Sequence, residues 1–78
     1  MPTVFRDGPY RFFFYASDRD EPYHIHVERD EKVAKYWLDP IRLHNSGGFN
    51  RFELKQIRSI VEKSQESLME AWNEYFSR

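Results

Sequence analysis

Seventy-eight residues with a formal net charge of −1 make a chain long enough for one domain and too near neutrality for a broadly electropositive nucleic-acid binder. There is no cysteine, which excludes disulfide staples and thiolate metal sites and points to a reducing compartment. No apolar run approaches membrane-spanning length and the N-terminus has no signal-peptide pattern, so a soluble, cytoplasmic protein with no membrane contact is expected.

The first half reads as strands. Thr3 to Arg6 is short and apolar, and Asp7-Gly8-Pro9 makes a turn. Residues 10–16, YRFFFYA, suit a buried strand, with Arg11, Phe13 and Tyr15 sharing one face. Asp18 to Pro22 is a polar connection. Tyr23 to Arg29 alternates, placing Tyr23, Ile25 and Val27 on one face and His24, His26 and Glu28 on the other. Asp30-Glu31-Lys32 reverses the chain into Val33 to Leu38, Asp39-Pro40 punctuates it, and Ile41 to Leu43 fits a short edge strand. Short links between consecutive strands predict an antiparallel meander of three to five strands over residues 1–44.

Asn45-Ser46-Gly47-Gly48 reads as a flexible loop, after which residues 50–77 become helical. Asn50 followed by Glu53 is a capping-box-like start, and Leu54, Ile57, Ile60 and Val61 recur at helical spacing. Leu68, Met69, Trp72, Tyr75 and Phe76 continue a similar stripe beyond a polar interval at 62–67. One unbroken helix over 51–77 would be about 40 Å long at 1.5 Å per residue, too long for a domain of this size. A pair of helices broken near Ser64, packed on one sheet face through Leu54, Ile57, Val61, Leu68 and Trp72, is therefore the favoured arrangement, with a single long helix as the alternative because the stripe stays roughly in phase. The fold class is α+β, and the whole of 1–78 is taken as one domain.

The His24-Ile25-His26-Val27-Glu28 strand admits three chemistries. As a metal site, His24 and His26 would ligate one divalent ion with Glu28 or His44 completing the set, although a lone His-x-His pair does not specify a metal. As a metal-independent ribonuclease-like site needing no cofactor, the two imidazoles would act as general base and general acid. Lys35 or Arg11 would then stabilise the developing charge. As the solvated face of a one-sided sheet, the same residues would carry no chemistry, and Glu28 would pair across the reversal with Lys35. In either of the last two cases the histidines face solvent or a cleft, and removing both leaves the fold intact. Trp37 shares a face with Lys35, and Phe12-Phe13-Phe14 is apolar on both sides, so both sheet faces carry aromatics while helices can cover one. An exposed aromatic and histidine-rich face implies contact with a partner.

The segments Gly8 to Tyr15, Glu21 to Val27, Ala34 to Pro40 and Ala71 to Phe76 together resemble a small bacterial family known only as a domain of unknown function. Its pattern is an aromatic strand, "EPPHIHV", an aromatic-W-L-D-P strand and a two-helix tail ending "AWxEYF"; here Tyr23 stands where a second proline is common. Genes of that family are similar in layout to toxin–antitoxin operons. The resemblance implies a component of a two-protein bacterial system, toxin-like by its gene layout; the reading of the histidine strand adds action on RNA through His24 and His26 or, alternatively, a non-catalytic module whose His/aromatic sheet face binds a protein. The partner would be a small antitoxin-like protein encoded nearby, or a second copy of the chain.

Overall fold

The computed structural model describes residues 3–76. Five strands follow one another in the chain and in the sheet: β1 (Thr3–Asp7), β2 (Tyr10–Phe13), β3 (His24–Arg29), β4 (Lys32–Leu38) and β5 (Ile41–Asn45), each antiparallel to its neighbour. Two helices complete the α+β fold, α1 (Arg51–Lys63) and α2 (Gln65–Phe76). No helix among the described residues is long and apolar enough to cross a membrane.

The turns follow from local chemistry. Asp30 adopts φ 56°, a left-handed conformation that aspartate tolerates, so Asp30-Glu31 closes a two-residue hairpin with Arg29 opposite Lys32. The expected flexible loop before α1 is tightly held instead. Asn45 Oδ1 accepts from Gly47 N–H at 2.8 Å, and Phe49 N–H donates to Ser46 O at 3.0 Å. Gly47 has φ +63°, and a Cβ there would lie 1.9 Å from the Val33 carbonyl oxygen, so only glycine fits against β4.

Helix α1 starts as its sequence predicts, with Asn50 Oδ1 accepting from Glu53 N–H at 2.9 Å. It ends at Ser64, whose N–H donates to the Ile60 carbonyl at 3.0 Å, and α2 begins at the next residue. The two-helix alternative is thus the one adopted, and the folded chain has a radius of gyration of 11.5 Å.

The helices cover the sheet face formed by Phe12, Ile25, Val27, Ala34, Tyr36 and Leu38, burying Ile57, Val61, Leu68 and Trp72 against it with Phe14 and Phe49. Leu54 is only partly buried at the margin of this core. Phe5 stacks on Phe12 with centroids 4.5 Å apart, extending the layer to β1. Glu53 ties the start of α1 to the sheet through Tyr10 at 3.1 Å, through Arg29 and through Lys32 at 3.9 Å.

Candidate functional site

The strand expected over residues 10–16 stops at Phe13, and the reason is Asp18. Residues Ala16–Asp20 form a 3-10 turn rather than an irregular connection. Asp18 N–H donates to Tyr15 O at 3.0 Å, while its Oδ2 accepts from Tyr15 N–H at 2.8 Å. A carboxylate three residues into a helical turn reaches back to the backbone N–H that opens it, which is capping-box chemistry. This fold-back turns the aspartate inward over the sheet face opposite the helices and leaves it 7% exposed.

There it meets both histidines of β3. Asp18 Oδ2 lies 3.1 Å from His26 Nε2, and Oδ1 lies 3.1 Å from His24 Nε2. His24 is 0% exposed and His26 8%, so the expectation that they face solvent or a cleft is wrong for both. The alternation was read correctly, since neither belongs to the Ile25–Val27 face. The second face is closed by groups the strand pattern alone does not show. His24 packs against Trp37 at 5.6 Å and against Trp72 of α2 at 5.0 Å between ring centroids. His26 stacks on Phe13 at 5.4 Å and meets Tyr15 edge-on at 4.7 Å. Removing both imidazoles would therefore hollow out a packed layer, contrary to the expectation of an intact fold.

All five residues considered for catalysis lie on this face. His26 is opposite Lys35 in β4 and Phe13 in β2, while Glu28 is opposite Arg11 and Val33. The expected Glu28–Lys35 pair does not form, because the hairpin register sets Glu28 across from Val33. Glu28 instead accepts from Arg11 Nε at 2.8 Å, and Lys35 donates to Glu21 Oε1 at 2.7 Å. Both cations also lie over aromatic rings, Arg11 over Phe13 at 4.2 Å and Lys35 over Trp37 at 4.7 Å. The aromatics that suggested an exposed contact face are thus largely covered by this face's own side chains. Neither Glu28 nor His44 joins the two histidines. His44 is exposed and packs on Trp37 at 5.0 Å.

The site has an uneven hydrogen-bond balance. His24 Nδ1 lies 2.8 Å from the Pro22 carbonyl oxygen, which can only accept, so Nδ1 carries a hydrogen. Among the described residues, Nε2 of His24 is the one buried side-chain nitrogen or oxygen without a hydrogen-bond partner. Burial pushes the His26 imidazole below its ordinary value, and His24 and Lys35 add to that, while Asp18 pulls the other way. The hydrogen bond from Lys35 holds the Glu21 carboxyl below its usual range.

A second feature lies at the β5 edge of the sheet. Tyr36, Leu43, Phe52 and Leu54 line a groove of about 670 Å³ between β5 and α1, bordered by Arg51, Lys55 and Arg58. Phe52 is 75% exposed and Leu43 42%. Sequence reading passed over Phe52, although its position off the Leu54–Ile57–Val61 stripe was a usable signal: it points away from the core. It passed over Asp18 as one of several acids in a polar connection; its place three residues after Tyr15 was the clue.

A family profile described as "Domain of unknown function (DUF4160)" matches residues 10–73. The chain belongs to the DUF4160 family. No curated protein and no solved structure matches it. The stretch shared with the DUF4160 profile contains Asp18, both histidines, Arg11, Glu28, Lys35 and all the residues of the groove.

Proposed function

We propose that this DUF4160 domain is the protein-binding component of a two-protein bacterial system, and that it engages its partner through the groove between β5 and α1. The observation that carries this reading is the exposure of Phe52 beside Leu43, with Tyr36 and Leu54 as the groove floor. Large aromatics on a small domain gain free energy when covered, and one side of β5 is an open strand edge. Arg51, Lys55 and Arg58 border it, Arg58 also pairing with Glu62 at 3.0 Å, and their charge favours an acidic occupant. The fitting occupant is an extended acidic segment of a partner protein that adds a strand to β5 and seats an apolar side chain against Phe52. A partner encoded nearby is what the toxin–antitoxin-like gene layout implied by the resemblance would supply.

The test is co-expression with the neighbouring gene product, followed by affinity purification and light scattering. The wild type should recover a stoichiometric complex. The double variant Leu43→Lys, Phe52→Glu should keep its far-ultraviolet circular dichroism and lose the partner. A folded double variant that still captures the partner would sink the groove as the interface. A complex made only of two copies of this chain would replace the acidic partner with self-association.

Toxin-like action on RNA is the second reading, supported by the Asp18–His26 hydrogen bond, which orients an imidazole as in an acid–base dyad beside Lys35. His24, fully buried, cannot serve as the second proton-transfer group, so His26 would act with Lys35. Growth arrest on expression that depends on His26 and Lys35, with cleaved cellular RNA, would support it. Intact RNA during arrest would remove it.

A further inference from the structure

We propose that Asp18, His24 and His26 bind one divalent transition-metal ion, with the chemistry of zinc(II), linking the 3-10 turn to β3. This inference is independent of the partner groove.

The first observation is the His24 nitrogen with no partner. Because Nδ1 gives its hydrogen to the Pro22 carbonyl, a neutral His24 presents a lone pair at Nε2. That lone pair lies 3.1 Å from a carboxylate oxygen, an acceptor facing an acceptor, in a residue with no solvent exposure. Nor does Oδ1 lie where a proton on Nε2 would point well, since the contact has a hydrogen bond's distance without its geometry. A buried polar atom in this condition is destabilising unless something satisfies it. A cation at the convergence of the three groups does so.

The second observation is the shape of the donor set. One ligand atom from each of Asp18, His24 and His26 lies within 4.8 Å of the others. Zinc bonds of about 2.0–2.1 Å place adjacent ligand atoms roughly 3.3 Å apart in a tetrahedron. Asp18 Oδ1 lies 3.1 Å from His24 Nε2 and Oδ2 lies 3.1 Å from His26 Nε2, both close to that edge, and a carboxylate ligating through one oxygen rotates to bring that oxygen toward both nitrogens. Two imidazoles and one carboxylate also match the zinc ligand preference, leaving one position for a fourth ligand.

The third is the support behind the ligands. Metal-binding histidines usually donate their other ring nitrogen to a backbone carbonyl or a carboxylate, and His24 does so to Pro22. The Tyr15 N–H fixes Asp18 Oδ2 at 2.8 Å. Trp72 and Trp37 pack against the His24 ring, and Phe13 and Tyr15 against that of His26. The nearby cation, Lys35, is neutralised by Glu21 at 2.7 Å.

The experiment titrates zinc chloride into metal-stripped full-length protein by calorimetry and counts metal by mass spectrometry. One equivalent should bind, and the thermal midpoint should rise with zinc and fall back with chelator. Asp18→Asn and His26→Gln should each weaken binding at least about ten-fold, whereas His44→Gln, at an exposed histidine outside the cluster, should leave it unchanged. Cobalt(II) added to the wild type should give the intense visible bands of a tetrahedral site, a readout that needs no variant to fold. Absence of stoichiometric binding would overturn the proposal, as would zinc affinity surviving in a folded Asp18→Asn, His26→Gln double variant. Purely octahedral cobalt spectra would overturn it too.

Discussion

Replacing Trp72 with alanine tests the packing that joins the helices to both sides of the sheet. The indole is 7% exposed and touches Phe14 at 5.3 Å, Tyr23 at 5.7 Å, Phe76 at 4.5 Å and His24 at 5.0 Å between centroids. A buried aromatic of about 150–250 Å² at ~25 cal/mol per Å² is worth roughly 4–6 kcal/mol as an upper bound. Measured large-to-small core changes of this kind cost roughly 3–5 kcal/mol. A domain of this length has a total stability of roughly 4–12 kcal/mol, so the change removes a quarter of it at least. Each kcal/mol moves the midpoint of a small domain by about 4–8 °C, so Trp72→Ala should lower it by about 12 °C or more. Urea unfolding followed by far-ultraviolet circular dichroism measures the loss without relying on the missing fluorophore. Trp72→Phe, which keeps a ring in the cluster, should lose less. A loss under about 1 kcal/mol would mean the indole packs on the surface, and the placement of α2 against the sheet would be wrong.

Gly47→Ala should destabilise the fold by roughly 2 kcal/mol or more, because it combines a left-handed backbone with a clash against the Val33 carbonyl; an unchanged urea midpoint would refute the close approach. His24→Ala should cost about 2 kcal/mol or more by opening a cavity beneath Trp37 and Trp72, and a variant as stable as the wild type would put His24 at the surface. Burial pushes the Glu53 carboxyl up, yet hydrogen bonds from Tyr10 and Arg29 and the charges of Arg29 and Lys32 together hold it below its ordinary value. A depressed carboxyl adds stability that is present above the unfolded value, about 4.3, and is lost as pH falls through the lower folded value. Glu53→Gln should therefore flatten the decline in urea midpoint between roughly pH 5 and pH 3, and parallel curves for variant and wild type would remove Glu53 from acid unfolding.

Strand order, hairpin positions and the Asn50 cap were legible in the chain, because each depends on residues within a few positions of one another; the break near Ser64 was favoured from the size of the domain and decided by the fold. Alternation along Tyr23–Arg29 correctly separated the Ile25–Val27 face from the histidine face, and helical spacing picked out Ile57, Val61, Leu68 and Trp72. The site was legible only in part. His24 and His26 were visible as a pair, but their surroundings come from elsewhere in the chain: Asp18 from a 3-10 turn, Trp37 from the neighbouring strand and Trp72 from the last helix. A two-residue period tells which side of a sheet a residue points to, not whether that side is wet. Burial is a property of what packs there, and only the folded chain decides it. The same holds for charge partners. The hairpin register places Glu28 opposite Val33 and hands it to Arg11, while Lys35 goes to Glu21, a choice among several cations and carboxylates of similar spacing. Local periodicity determined the elements, and long-range packing determined which of their buried side-chain polar atoms kept a partner and, among the described residues, that His24 Nε2 did not.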